Sequence, residues 1–258
     1  STWVSRGPEV RRLLDIDTMQ LGLVTMLVPL GGLGAIGLAR ALVHRLGSRA
    51  VAAGGYTLAS AALAFAGPAI TAGNVPLACV LLVVFGAPLA VVDFVGNHEG
   101  TMVDKAARRS VFAAIHGAFG LGMLSAAWLT GWASDAGVSL STHFAVIGAA
   151  AFVASLVACL RLPHHPRQPA TESTGTSVAA PHRSAWLEPR SQLIALIGFS
   201  FIMAETSAGT WVPLALTETG FTESRAAYAL SLFWVAVTIG RLFGGLLVDA
   251  IGRFRAVV

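Results

Sequence analysis

The chain has 258 residues and a mass of 26.6 kDa; 55% of its side chains are hydrophobic, 28 residues are Gly and only 12% are charged, against about 25% charged in soluble domains. A mean hydropathy of +0.73 cannot be hidden in a single water-soluble core, which excludes disordered and collagenous chains. Nucleic-acid binding is excluded too, because the basic residues behind the pI near 9.8 lie scattered between apolar blocks rather than in a stripe.

A bilayer-crossing helix needs about 20 mostly apolar residues, and long runs without Asp, Glu, Lys or Arg predict seven such spans. Residues 1–17 carry Arg6, Arg11 and Arg12 and are read as an extracytoplasmic loop. The first span is predicted at 18–39, from Thr18 to Ala39. An uncharged stretch follows that is broken by Gly67-Pro68 and by Gly73-Asn74-Val75-Pro76, which predicts helices at 50–69 and 76–102 with a turn between them. Further spans are predicted at 110–132 and 142–161, closing an N-terminal bundle of five spans over 18–161. Residues 162–190 are rich in Pro and polar side chains and read as a cytoplasmic linker. The last two spans, 191–214 and 225–248, open a C-terminal bundle over 191–258.

Lys and Arg collect on the cytoplasmic side of membrane proteins. If the loop after the first span is inside, alternation places twelve of the 17 basic residues inside, among them Arg45, Lys105 and Arg253, and only Arg6, Arg11, Arg12 and Arg225 outside. Residues 1–17 then lie outside, so a further span ending near Trp3 is expected ahead of them. The segment Arg40 to Arg49 echoes Gly245 to Arg255 at an offset of 205 residues, as expected when two six-helix halves repeat in one orientation.

Several tempting motifs carry little. Gly32-Leu-Gly34-Ala-Ile-Gly37 has the G-x-G-x-x-G pattern but no acid follows about 20 positions on, and close helix packing through small residues explains it better. Cys79 and Cys159 sit in apolar runs and read as packing residues. His164 and His165 lack further ligands, and no metal or other cofactor is expected.

Three charged side chains fall within predicted spans: Asp93, Glu205 and Arg241. Each costs at least about 2.5 kcal/mol to insert, so each is a functional candidate. Asn97 is one turn beyond Asp93 on the same helix face, and Pro88 removes a backbone donor beside it. Carboxylates in hydrocarbon surroundings can carry protons near neutral pH. His116 is a candidate proton relay or solute contact. Trp211, and less strongly Trp234, could stack on a solute. Arg241 reads as a structural or gating residue whose long stem reaches the interface or pairs with an acid on another helix.

The stretch Gly240-Arg241-Leu-Phe-Gly244-Gly245-Leu-Leu-Val-Asp249-Ala-Ile-Gly252-Arg253 resembles the eighth helix and following loop of major facilitator superfamily transporters. Asp93-x-x-x-Asn97, Val103-Asp104 and His116-Gly117-x-Phe119 are similar to the fourth and fifth helices of the bacterial fucose-permease-like branch. Trp3-x-x-Arg6-x-Pro8 resembles the end of its first helix, and Glu205 with Trp211 resembles its seventh. The resemblance implies an all-α, polytopic transmembrane helix bundle, a partial major facilitator fold with helices two to eight of twelve. It also implies a central cavity lined by helices one, four, seven and ten, with Asp93 on the fourth and Glu205 on the seventh. Departures are His44 and Arg40 in the first-half loop, where the family has an acid and a Gly, and Thr206 and Thr210 around the Glu-Trp pair, where a Gly and an Asp are expected. The fifth helix also lacks the Gly-Pro pair of many drug antiporters.

The resulting expectation is a secondary transporter in a bacterial inner membrane that moves a small polar solute by alternating access, coupled to proton uptake. Asp93, Asn97, Glu205, His116 and Trp211 form its expected solute and proton site. The loops around Arg45-Gly47 and Asp249-Gly252-Arg253 would hold one end closed. Its partners are the solute, protons and the lipid bilayer, not nucleic acid. An efflux antiporter of the same superfamily and a non-transporting membrane scaffold remain as alternatives. An enzyme is not expected, because no Gly-x-Ser-Gly or His-Glu-x-x-His occurs in a span; a retinal photosensor fails because the only lysine, Lys105, is in a loop.

Overall fold

A computed structural model describes residues 2–107, 112–161 and 188–251. Among these every regular element is a helix: α1 (Thr2–Ser5), α2 (Gly7–Leu14), α3 (Thr18–Leu46), α4 (Ser48–Thr71), α5 (Val75–Ala107), α6 (Phe112–Asp135), α7 (Leu140–Arg161), α8 (Pro189–Glu218) and α9 (Glu223–Ile251). Helices α3, α4, α5, α7, α8 and α9 are long and apolar enough to cross a membrane. Helix α6 reaches spanning length with 24 residues. The protein is therefore a multi-pass membrane helix bundle, as its composition requires.

The helices outrun the predicted spans because a search for uncharged runs stops at the first charge, whereas a helix continues into the interface. Arg40 and Arg45 accordingly lie in the last turns of α3, and the loop that was to carry Arg45 shrinks to Gly47. Gly47 stands at φ 83°, a left-handed conformation that costs a residue without Cβ little. Of the other expected gating residues, Asp249 lies within α9, and Gly252 and Arg253 lie outside the described residues, as do 162–187 of the linker.

Side chains supply the caps. Asp17 Oδ1 accepts from the Gln20 backbone N–H at 2.7 Å while the Asp17 N–H donates to Gln20 Oε1 at 2.9 Å, a reciprocal capping box at the start of α3. Asn74 Oδ1 accepts from Leu77 N at 3.1 Å, Ser139 Oγ from Thr142 N at 3.2 Å and Thr222 Oγ1 from Arg225 N at 3.3 Å, so α5, α7 and α9 each begin with a one-way side-chain cap. Asp17→Ala is expected to cost about 1 kcal/mol of stability, read as a small fall in the melting temperature of detergent-solubilised protein; an unchanged melting temperature would show that the cap does not limit stability.

Residues 1–17 differ from the expected loop. Two short helices fold over one end of the bundle, and Trp3, Val10 and Leu14 are buried with Leu21, Leu63, Ile70 and Phe144. In α2, Val10 and Leu14 are one turn apart on one face while Arg11 and Arg12 face outward. The apolar face is too short for a hydropathy search, and the arginines mask it.

Packing depends on small residues where helices cross. Along α3 and α5, a Cβ on Gly86 would collide with the Val28 carbonyl and one on Gly31 with the Val83 carbonyl. Between α4 and α7, a Cβ on Gly67 would lie 2.8 Å from Ser141 Cα and one on Gly148 2.8 Å from Ser60 O. Helix α6 turns away from this group and runs antiparallel against α9, where Gly117 meets Leu242, Gly120 meets Thr238 and Gly131 meets Tyr228. The result is two helix groups, α3–α4–α5–α7 and α6–α8–α9, bridged at one end by α1 and α2.

Candidate functional site

A cleft of about 300 Å³ opens where α1, α6, α8 and α9 meet. Helix α8 contributes Ile202, Glu205, Thr206, Gly209 and Thr210, positions separated by three and four residues and hence on one helix face. Helix α9 contributes Leu230, Trp234 and Arg241, α6 contributes Phe119 and Met123, and Val4 of α1 closes one end. Apolar side chains form most of the wall, and the polar groups gather on α8 and at Arg241.

The charges in the cleft neutralise one another. Arg241 Nη2 donates to Glu205 Oε1 at 2.7 Å and to Oε2 at 2.9 Å. The side chains are only 23% and 11% exposed, so the pair is largely removed from solvent, where a lone charge of either sign would be strongly penalised. The Arg241 guanidinium also lies 5.6 Å from the centroid of the Phe119 ring, within cation–π range. The expectation that Arg241 pairs with an acid on another helix thus describes the geometry, and the acid is Glu205.

Trp234 is the buried aromatic of this cleft. Its ring packs edge-on to Phe233 at 5.3 Å, its benzo edge lies beside Gly209, and its Nε1–H is buried with no hydrogen-bond partner among the described residues. Trp211 was the stronger ligand candidate in the sequence, but its ring packs against Gly22 of α3, 3.2 Å from where a Cβ would stand, and it does not line the cleft. Trp211 is one position beyond Thr210, about 100° around the helix, which turns it toward the neighbouring group.

The other sequence candidates lie elsewhere. Asp93 is exposed on α5 and accepts a hydrogen bond from Asn97 Nδ2 at 3.0 Å, as the one-turn spacing predicts. Neither residue lines the cleft that holds Glu205. The Arg241–Glu205 pair is thus in the wall of this cleft and the Asp93–Asn97 pair is elsewhere, on α5. His116 is half-buried on α6, beside the Gly117–Leu242 crossing, and is also absent from the cleft wall. Thr206 and Thr210, noticed in the sequence only as departures from a pattern, are wall residues.

The cleft thus lies within the α6–α8–α9 group, closed at one end by α1, with an ion pair in its wall. The chain matches the Major Facilitator Superfamily over residues 5–258 and belongs to that family. It is also similar, at 26% identity over 262 residues, to an uncharacterised MFS-type transporter of Yersinia pestis, and the match covers 100% of this chain and 64% of that relative's length. No solved structure matches it.

Proposed function

We propose that the protein is a proton-coupled secondary transporter that takes up a small polar solute by alternating access, with the cleft between α6, α8 and α9 as part of the solute path. The observation that carries this reading is the Arg241–Glu205 pair in the cleft wall. An intramembrane ion pair is costly to maintain for packing alone, whereas at a site that must bind and release a polar solute it offers donors and acceptors without net charge. Thr206 and Thr210 add hydroxyls on the same face. The apolar remainder of the wall suits a solute that carries some hydrocarbon surface beside its polar groups.

Two acids then divide the work. Glu205 is already neutralised by Arg241 and is assigned to solute binding. Asp93 has Asn97 as a partner and no ion-pair partner among the described residues; it is assigned to proton coupling. His116 is retained as a relay on α6. The loops near Arg45, Lys105 and Arg253 are placed on the cytoplasmic side of a bacterial inner membrane, which puts α1, α2 and the α8–α9 turn outside.

The test is uptake in proteoliposomes under an imposed pH gradient, with radiolabelled sugars, polyols and amino acids as probes and internal pyranine reporting proton entry. Asp93→Asn is expected to abolish pH-driven uptake while leaving expression intact. Unchanged uptake would remove Asp93 from the mechanism, and solute accumulation only when protons flow outward would reverse the direction to efflux.

A further inference from the structure

Buried polar side-chain atoms in folded proteins nearly always have a hydrogen-bond partner, and each exception calls for an explanation. Among the described residues three such atoms have none: Ser134 Oγ, His143 Nε2 and Trp234 Nε1. Of these three residues only Trp234 belongs to the cleft wall. It is 5% exposed, so its N–H is shielded from solvent. An indole N–H donates and cannot accept, and what it lacks is therefore an acceptor.

The covalent geometry of indole shows where this donor lies. Cζ2 and Nε1 are both bonded to Cε2, so they share one edge of the ring. Cζ2 is the atom that a Cβ on Gly209 would meet, at 3.5 Å, and Gly209 is itself a cleft residue on α8. The edge that carries the N–H therefore faces the α8 wall. Thr206 and Thr210 flank Gly209 there, and Glu205 lies one turn earlier. Helix α8 rests on α9 over a far smaller contact than α6 does. A small outward movement of α8 thus opens this edge to the cleft while the α6–α9 crossing stays in place.

We propose that Trp234 is a specificity-determining donor: its Nε1–H donates to an uncharged oxygen of the solute, a hydroxyl, ether or carbonyl oxygen set between Gly209 and the ring. The charges in the wall decide for a neutral group. Glu205 and Arg241 are the charged residues lining the cleft, and they are engaged with each other. An anion would arrive beside the Glu205 carboxylate and a cation beside the Arg241 guanidinium, each without a free counter-charge where water is largely excluded. A neutral oxygen needs none. A solute with no acceptor at that point leaves the N–H unpaired in the bound state, and a site built around a buried donor discriminates strongly against such analogues. The proposal rests on the reading of the cleft as a solute path, but on neither proton coupling nor the direction of transport.

The test is binding to the full chain in detergent, with tritiated D-sorbitol as the neutral probe. D-Gluconate and D-glucamine compete with it; they have the same carbon chain but carry a carboxylate or an ammonium at one end. Sorbitol is expected to bind, and each charged competitor to displace it at least about tenfold less well than unlabelled sorbitol does. Trp234→Phe keeps an aromatic ring and removes the donor. Gly209→Ala keeps the donor and sets a methyl in ordinary contact with its edge of the ring, 3.5 Å from Cζ2, in the way of an incoming oxygen. Both variants are expected to weaken sorbitol binding about two- to tenfold, the factor of one neutral hydrogen bond. Gly209→Ala keeps the comparison decisive should Trp234→Phe fail to fold, judged by its gel-filtration profile, and a purely structural ring predicts that it leaves binding unchanged. In protein labelled with nitrogen-15 tryptophan, the indole resonance missing from Trp234→Phe is expected to move downfield as sorbitol is added. No sorbitol binding by the parent, parent-like binding by Gly209→Ala, equal competition by the charged analogues, or an unmoved Trp234 resonance would overturn the donor. The assay needs no gradient and no transport, so a protein that binds sorbitol in this way but does not accumulate it contradicts the uptake reading alone.

Discussion

Arg241→Ala is expected to be the most damaging single substitution in the cleft. It leaves the Glu205 carboxylate, 11% exposed, without the guanidinium that donates to both of its oxygens, and removing one member of a buried pair costs about 3–5 kcal/mol. The fall should register as a large drop in melting temperature and in the yield of monodisperse protein. Arg241→Lys should recover only part of the loss, because an ammonium can still donate to Glu205 but is more strongly hydrated than the guanidinium that lies 5.6 Å from the Phe119 centroid. The informative comparison is Arg241→Gln/Glu205→Gln, which removes both charges and keeps hydrogen-bonding groups. If the pair exists for function, this double variant should recover most of the stability while solute transport stays lost. Recovery of transport as well would show that the charges serve folding alone, and a single Arg241→Ala variant as stable as the parent would mean that the pair is not formed in the membrane.

A comparable loss is expected from Gly86→Leu. A Cβ at that position meets the backbone of Val28, and backbone cannot rotate away as a side-chain tip can. Overpacking a core typically costs about 1–3 kcal/mol, and a collision with a helix backbone forces α3 and α5 apart along much of their length, so the upper part of that range or more is expected. Gly34→Ala is the control: no atom lies within 4 Å of a Cβ there, and replacing Gly by Ala in a helix stabilises by about 0.5–1 kcal/mol. Thermal denaturation followed with a thiol-reactive dye should therefore move in opposite directions for the two variants. Equal melting temperatures would contradict the close α3–α5 crossing.

The seven long helices were legible in the sequence because the constraint that produces them is local. A bilayer tolerates few charges over about 20 residues, and each span obeys that rule without reference to its neighbours. The same rule exposed Asp93, Glu205 and Arg241 as individuals. The Asp93–Asn97 hydrogen bond was legible too, since residues one turn apart must meet. The Arg241–Glu205 bond, between residues 36 positions apart, required knowing which face of α8 turns toward α9. The buried faces of α1 and α2 were hidden for a different reason: at four and eight residues they are too short for periodicity to stand out, and Arg6, Arg11 and Arg12 give them the composition of a loop.

Helix direction explains the exchange of roles between the two tryptophans. In a membrane helix nearly every face is apolar, so the pattern that separates inside from outside in a soluble helix is faint. Trp211 is the stronger ligand candidate in the sequence until packing decides that it rests on Gly22 and that Trp234 lines the cleft. Thr206 and Thr210 became cleft residues in the same way.

Composition and the spacing of charges determined that this chain crosses the membrane repeatedly and that a few costly ionisable groups are kept inside it, because the energy of placing a residue in hydrocarbon depends on that residue's own chemistry. Which of those groups meet, which aromatic side chain reaches the cleft, and that residues 2–14 fold as two short helices with a buried face were decided only in the tertiary structure. These are properties of pairs of surfaces, and the rotation of each helix is set by the neighbour against which its small residues pack.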